Sequence, residues 1–84
     1  MTGTIVCIKH QIGLIAIRDN RDEITIAELL SGCNIEEGHT ISGDLHSHGG
    51  TSLLNKTTGE SISVFIEYIG LTKKQAVNIL QKRR

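Results

Sequence analysis

Asp44, His46 and His48 stand two residues apart along the chain. On an extended strand, side chains repeat every two residues, so all three would share one face. Asp-x-His-x-His on a strand is a donor set for a borderline divalent metal, with His39 or His10 as a further ligand. Gly49-Gly50 follows at once and reads as a hairpin tip. A solvated strand end is therefore the competing reading, and it is the one adopted: no bound metal and no cofactor is expected. Other chemistry finds less support. Cys7 and His10 lie three residues apart across a strand end and point to opposite faces, which leaves a thiol without a base. Glu36-Glu37 reads as an ordinary turn. There is neither a phosphate loop of Walker type nor a nucleophile elbow. A protein that is not an enzyme is expected.

Charge is the next feature able to recognise a partner. The formal net charge is zero, yet it is unevenly placed. Residues 1–71 carry four basic side chains, Lys9, Arg18, Arg21 and Lys56, against nine acidic ones. Residues 72–84 carry Lys73, Lys74, Lys82, Arg83 and Arg84 and no acid. A negative body with a positive tail bears on which partners approach. Lys73 and Lys74 fall at a helix N-terminus, where the dipole disfavours cations. Lys82, Arg83 and Arg84 fall at the other end, where cations complement it. A phosphate-binding tail and a solvated helix end both fit.

The elements that must position these residues are short and β-branched. Residues 4–9 and 13–18 read as paired strands, with Lys9-His10-Gln11-Ile12 as the turn and Gly13 free to take an unusual backbone angle. Arg18-Asp19-Asn20-Arg21-Asp22 is a polar loop. Residues 23–27 alternate with period two. Ala27 to Ser31 then reads as a helical turn stopped by Gly32, and one short helix over 24–31 competes with the strand. Thr40 to His48 reads as a strand with Gly43 as a bulge. Thr51 to Lys56 forms the next strand, and Thr57-Thr58-Gly59-Glu60 turns into another over 61–69. That strand should place Ile62, Val64, Ile66 and Tyr68 on one face and Phe65 on the other. Thr72-Lys73-Lys74-Gln75 matches a capping box, with Leu71 and Ala76 at the staple positions. A helix over 72–83 should follow, with Ala76, Ile79 and Leu80 as its apolar stripe.

These 84 residues fit one domain over 1–84, a barrel over 1–69 and then the helix. No run approaches the roughly 20 apolar residues that span a bilayer, and the N-terminus lacks a signal-peptide pattern. Cys7 and Cys33 form no Cys-x-x-Cys, and reduced thiols in a cytoplasm are the economical reading.

The layout resembles a known family. Met1-Thr2-Gly3-Thr4-Ile5 resembles the opening of cold-shock proteins, Met-x-Gly-Thr-Val. Gly13-Leu14-Ile15-Ala16-Ile17 falls without a gap on that family's first RNA-binding motif, Gly-Phe-Gly-Phe-Ile. Glu23-Ile24-Thr25-Ile26-Ala27 falls on the second, Asp-Val-Phe-Val-His. Ile35-Glu36-Glu37-Gly38-His39-Thr40-Ile41 is similar to Leu-Glu-Glu-Gly-Gln-x-Val, and Asn55-Lys56-Thr57 lies where the family's closing strand lies. The likeness covers residues 1–58. It implies a mainly β fold, a small OB-like antiparallel barrel of five or six strands, here with a C-terminal helix added.

The family's chemistry is aromatic stacking on unpaired bases. Its stacking positions map onto Cys7, Ile8, Leu14, Ala16, Thr25 and Ala27, none of them aromatic. Each ring is worth about 1–3 kcal/mol per base, so that platform is gone. Weak contact with single-stranded RNA or DNA through phosphates is what remains, with Lys9, Arg18, Lys73, Lys74, Lys82, Arg83 and Arg84 as the candidates. The alternative is a protein contact or a homodimer seam through the small apolar face of Cys7, Leu14, Ala16 and Thr25, unless the C-terminal helix packs there itself.

Overall fold

The structure, a computed structural model, describes residues 1–31 and 34–82. Cys33, Arg83 and Arg84 lie outside the described residues, as does the helix stop expected at Gly32. Six strands and one helix follow in chain order: β1 (Thr2–Lys9), β2 (Leu14–Asp19), β3 (Ile24–Leu29), β4 (Thr40–Ser42), β5 (Gly49–Asn55), β6 (Glu60–Leu71) and α1 (Lys73–Lys82). The strands close into a barrel in the order β1-β2-β3-β6-β5-β4, with every pair antiparallel. The expectation of a mainly β barrel with a C-terminal helix is met, with six strands. No helix among the described residues is long and apolar enough to cross a membrane.

Apolar residues form two clusters, one on each side of the sheet. Inside the barrel lie Ile5, Ile15, Ile17, Ile41, Leu53, Ile62, Val64 and Ile66, with Ile35 and Leu45 entering from loops. Outside it, Leu14, Ala16, Ile24 and Ile26 pack against Ala76 and Leu80 of α1. The sequence Leu14-Ile15-Ala16-Ile17 therefore alternates between two cores, not between core and water, and all four residues are buried.

Two strands change phase to serve both clusters. In β1, Ile5 pairs with Ile17 and Cys7 with Ala16, which leaves Val6 as an extra residue. Beyond that bulge, Cys7 faces the helix side and Ile8 packs against the inner cluster. In β6, Ala27 pairs with Ile66 and Ile26 with Tyr68, so Glu67 is extra. A second irregularity follows as Ile24 pairs with Leu71, and Gly70 there takes φ 69°, the left-handed region glycine favours. Ile62, Val64 and Ile66 face inward as their alternation predicts, but Tyr68 turns out to the helix cluster.

Three expected elements come out differently. β3 continues to Leu29, where a helical turn was expected from Ala27, because it is laddered on both sides, to β2 and to β6. The strand expected over 40–48 stops at Ser42. The Asp44 carboxylate accepts the His46 amide at 3.1 Å and the Ser47 hydroxyl at 2.6 Å, which turns the chain out of the sheet. Gly49 and Gly50 form no hairpin tip; they open β5, opposite Ile66 and Phe65.

The face expected from Cys7, Leu14, Ala16 and Thr25 is not formed as one surface. Ile17 pairs with Thr25 and Ile15 with Ala27, so Thr25 and Ala27 point into the barrel, opposite in sense to Leu14 and Ala16. Leu14 and Ala16 are 2% and 1% exposed, covered by α1. The chain has used that face itself.

The capping box closes as read. The Gln75 amide donates to the Thr72 hydroxyl at 3.2 Å, and the Thr72 amide donates to Gln75 Oε1 at 2.9 Å. Leu71 packs into the helix cluster beside Ala76, completing the staple. Thr72→Ala should cost about 1 kcal/mol and lower the melting temperature by roughly 4–8 °C in a thermal unfolding scan.

Candidate functional site

Two places gather side chains able to recognise something. The first is the margin between β1 and α1. The helix crosses the outer face of β2 and β3 and leaves a channel against β1. One hollow of about 460 Å³ is lined by Val6, Cys7 and Ala16 on the sheet and by Ala76, Val77 and Leu80 on the helix, with Arg18, Asp22 and Lys73 at its border. A second hollow, about 810 Å³, is lined by Ile8, Lys9, His10, Gln11 and Ile12 and by Leu80 and Gln81. Leu80 lines both hollows, one on either side of it. Cys7 is a half-buried free thiol, while Val6 and Val77 are 36% and 42% exposed. The floor is thus mildly apolar, and the ends are basic.

Three of the expected basic residues border this channel: Arg18 and Lys73 at the end nearer the helix N-terminus, and Lys9 at the other. Arg18 makes an exposed pair with Asp22 at 3.7 Å, a contact too solvated to hold the guanidinium firmly. Among the described residues, Asp22 is the one acid that lines either hollow. Lys74 and Lys82 are exposed on α1 but do not line it. Arg83 and Arg84 lie outside the described residues.

The second place is at the far end of β2. Asp19, the last residue of β2, and Glu23, just before β3, flank the turn that joins them. Asp19 Oδ1 accepts the amides of Arg21 at 2.9 Å and Glu23 at 3.1 Å. Asp22 takes φ 64° within this turn, a left-handed conformation that a short Asp side chain tolerates. The other oxygen, Oδ2, lies 3.1 Å from His46 Nε2. Glu23 Oε1 is 4.0 Å from the same nitrogen. The Asp19 side chain is 1% exposed, against 29% for His46 and 45% for Glu23. Burial pushes the Asp19 carboxyl up, but the hydrogen bonds from His46 and the two amides outweigh it and hold it below the ordinary aspartate range.

His46 is held there by its neighbours. Leu45 is fully buried in the barrel, and its carbonyl accepts the buried Thr25 hydroxyl at 3.1 Å. That bond satisfies the hydroxyl of a polar residue in a mainly aliphatic interior. Asp44 faces solvent and shapes the loop through Ser47 and His46, hydrogen bonds that lower its carboxyl below the usual range.

Asp44, His46 and His48 therefore do not form the shared face expected of them, because residues 44–48 are not a strand. His48 is exposed and joins no cluster of donors among the described residues. His39 is engaged elsewhere: its Nδ1 accepts the Glu36 amide at 3.3 Å and the Asn55 side-chain amide at 3.0 Å. Asp19 and Glu23 were missed as partners of His46. Their only sequence signal is an acid at each end of a tight turn, which reads equally well as solvated polarity. No family model matches the chain, and neither a curated protein nor a solved structure matches it.

Proposed function

We propose that this is a non-catalytic binding protein that takes single-stranded RNA or DNA along the channel between β1 and α1. Arg18 and Lys73 would hold phosphates at one end and Lys9 at the other, with the strand lying over Val6, Cys7 and Val77. The observation that carries this reading is the placement of charge: basic residues border both hollows, one acid among the described residues lines them, and Asp19, Glu23 and Asp44 gather instead around His46. A small barrel laid out like a cold-shock protein supports the same class of ligand. It binds here without the ring platform, so contact is carried by phosphates and is indifferent to base sequence. A half-buried free thiol at Cys7 fits a reducing cytoplasm.

Fluorescence anisotropy with a short mixed-sequence single strand tests this. Neutralising three phosphates gives a slope of about −2 in log affinity against log salt, since single strands contribute about −0.7 per phosphate. The double variant Arg18→Glu, Lys73→Glu should weaken binding at least tenfold at low salt, with the thermal melt little changed because both side chains are exposed. Equal affinity for wild type and double variant would refute the reading. The exposed Val6 and Val77 favour a second reading, an apolar protein segment in the same channel, whose affinity would be nearly independent of salt.

A further inference from the structure

We infer that Asp19, Glu23 and His46 form a site for one divalent cation of the zinc class, held by two carboxylates and one imidazole. It is independent of the channel and uses none of its residues. The donor atoms Asp19 Oδ2, Glu23 Oε1 and His46 Nε2 all lie within 4.8 Å of one another. A tetrahedral cation with bonds of about 2.1 Å needs its ligand atoms about 3.4 Å apart. The Asp19–His46 separation of 3.1 Å and the His46–Glu23 separation of 4.0 Å bracket that spacing. The half-exposed Glu23 side chain has to close in by about half an ångström, and the Asp19–His46 pair has to open by a few tenths.

The three donors come from parts of the chain that are themselves fixed. Asp19 cannot swing, because its Oδ1 is held by the Arg21 and Glu23 amides, so Oδ2 stays aimed at the site. Glu23 is tied to the same turn by its own amide. His46 is carried on a loop pinned from inside by buried Leu45 and the Thr25 hydroxyl, and shaped from outside by Asp44. Such supporting hydrogen bonds are what orient ligands at metal centres. An ionised carboxylate only accepts, so the short Asp19 contact places a proton on Nε2 in the metal-free protein. A cation takes the place of that proton, which passes through solvent to Nδ1 or is released to water. Two carboxylates and an imidazole suit a borderline ion, and three protein ligands leave a further position for water. The exposure of His46 and Glu23 gives the ion a way in.

Titration of the full chain with Zn2+ alone, followed by calorimetry and by imidazole resonances, tests this. One Zn2+ per chain should bind, and the His46 ring signals should move while those of His10 and His48 do not. Glu23→Gln and His46→Gln should each lower the affinity at least tenfold and leave the metal-free circular dichroism unchanged. Asp19→Asn disturbs the turn as well as the site, so the other two variants carry the test. Equal Zn2+ affinity in wild type and both variants, or shifts at His10 and His48 with none at His46, would overturn the assignment.

Discussion

A chain ending at Leu71 should lose its cooperative fold. Without α1, Leu14, Ala16, Ile24 and Ile26 would all face water, although each is now no more than 4% exposed. Burying one large aliphatic side chain is worth about 1.5–3 kcal/mol, so the three large ones together contribute on the order of 5–9 kcal/mol. The net stability of a small domain is about 5–15 kcal/mol, and 84 residues sit at the low end of that range. The truncated chain should show no cooperative thermal transition, poor amide dispersion in NMR spectra and strong binding of a hydrophobic dye. A dispersed spectrum with a melting temperature near that of the full chain would show that the helix is dispensable. Truncation therefore cannot judge the basic tail: binding would vanish with the fold. Charge reversal at Arg18 and Lys73 separates the two.

Ile17→Ala should be the most damaging conservative change inside the barrel. Ile17 is fully buried, paired with Ile5 on one side and Thr25 on the other. Its Cγ2 lies where a side chain on Gly3 would begin: a Cβ at Gly3 would come within 2.6 Å of it and within 2.8 Å of the Arg18 carbonyl oxygen. The chain leaves Gly3 bare and fills the space with Ile17. Truncating a buried isoleucine costs about 2–5 kcal/mol, which for a domain of this size lowers the melting temperature by roughly 10–30 °C. Leu30→Ala is the control. At 55% exposure, its loss should change stability by less than about 0.5 kcal/mol. Similar melting temperatures for the two variants would mean that the interior is loosely packed.

The barrel and its helix were legible because local signals agreed with the global fold. Short β-branched, apolar runs mark β1 and β2, period-two alternation marks the start of β3 and the first half of β6, and Thr72 with Gln75 writes the helix start directly. What escaped depends on pairing. Residues 27–31 carry good helix formers, yet ladders on both sides keep Ala27 to Leu29 extended. Gly49-Gly50 has hairpin chemistry, yet β6 offers it partners. Thr25 was placed beside Leu14 on a likeness of layout, but cross-strand register alone decides the face, and one residue of slip reverses it. The basic side chains Arg18, Lys73 and Lys9 are legible in the sequence, while the hollows they border need the docked helix. The His46 ring meets Asp19, not a neighbour in sequence. Asp19 is 27 residues away, and only the closing of the barrel brings the two together.

The bulge at Val6 also decides where this chain tolerates a change in length. Val6 is the residue of β1 without an opposite number on β2, so removing it would leave Ile5 inward, Cys7 outward and Ile8 inward as they are. β2 has no such spare position. A deletion there would send Ile15 and Ile17 to the helix and Leu14 and Ala16 to the interior, exchanging two sets of side chains with different volumes. Gains and losses of single residues among relatives of this chain should therefore collect at Val6 and be absent from β2.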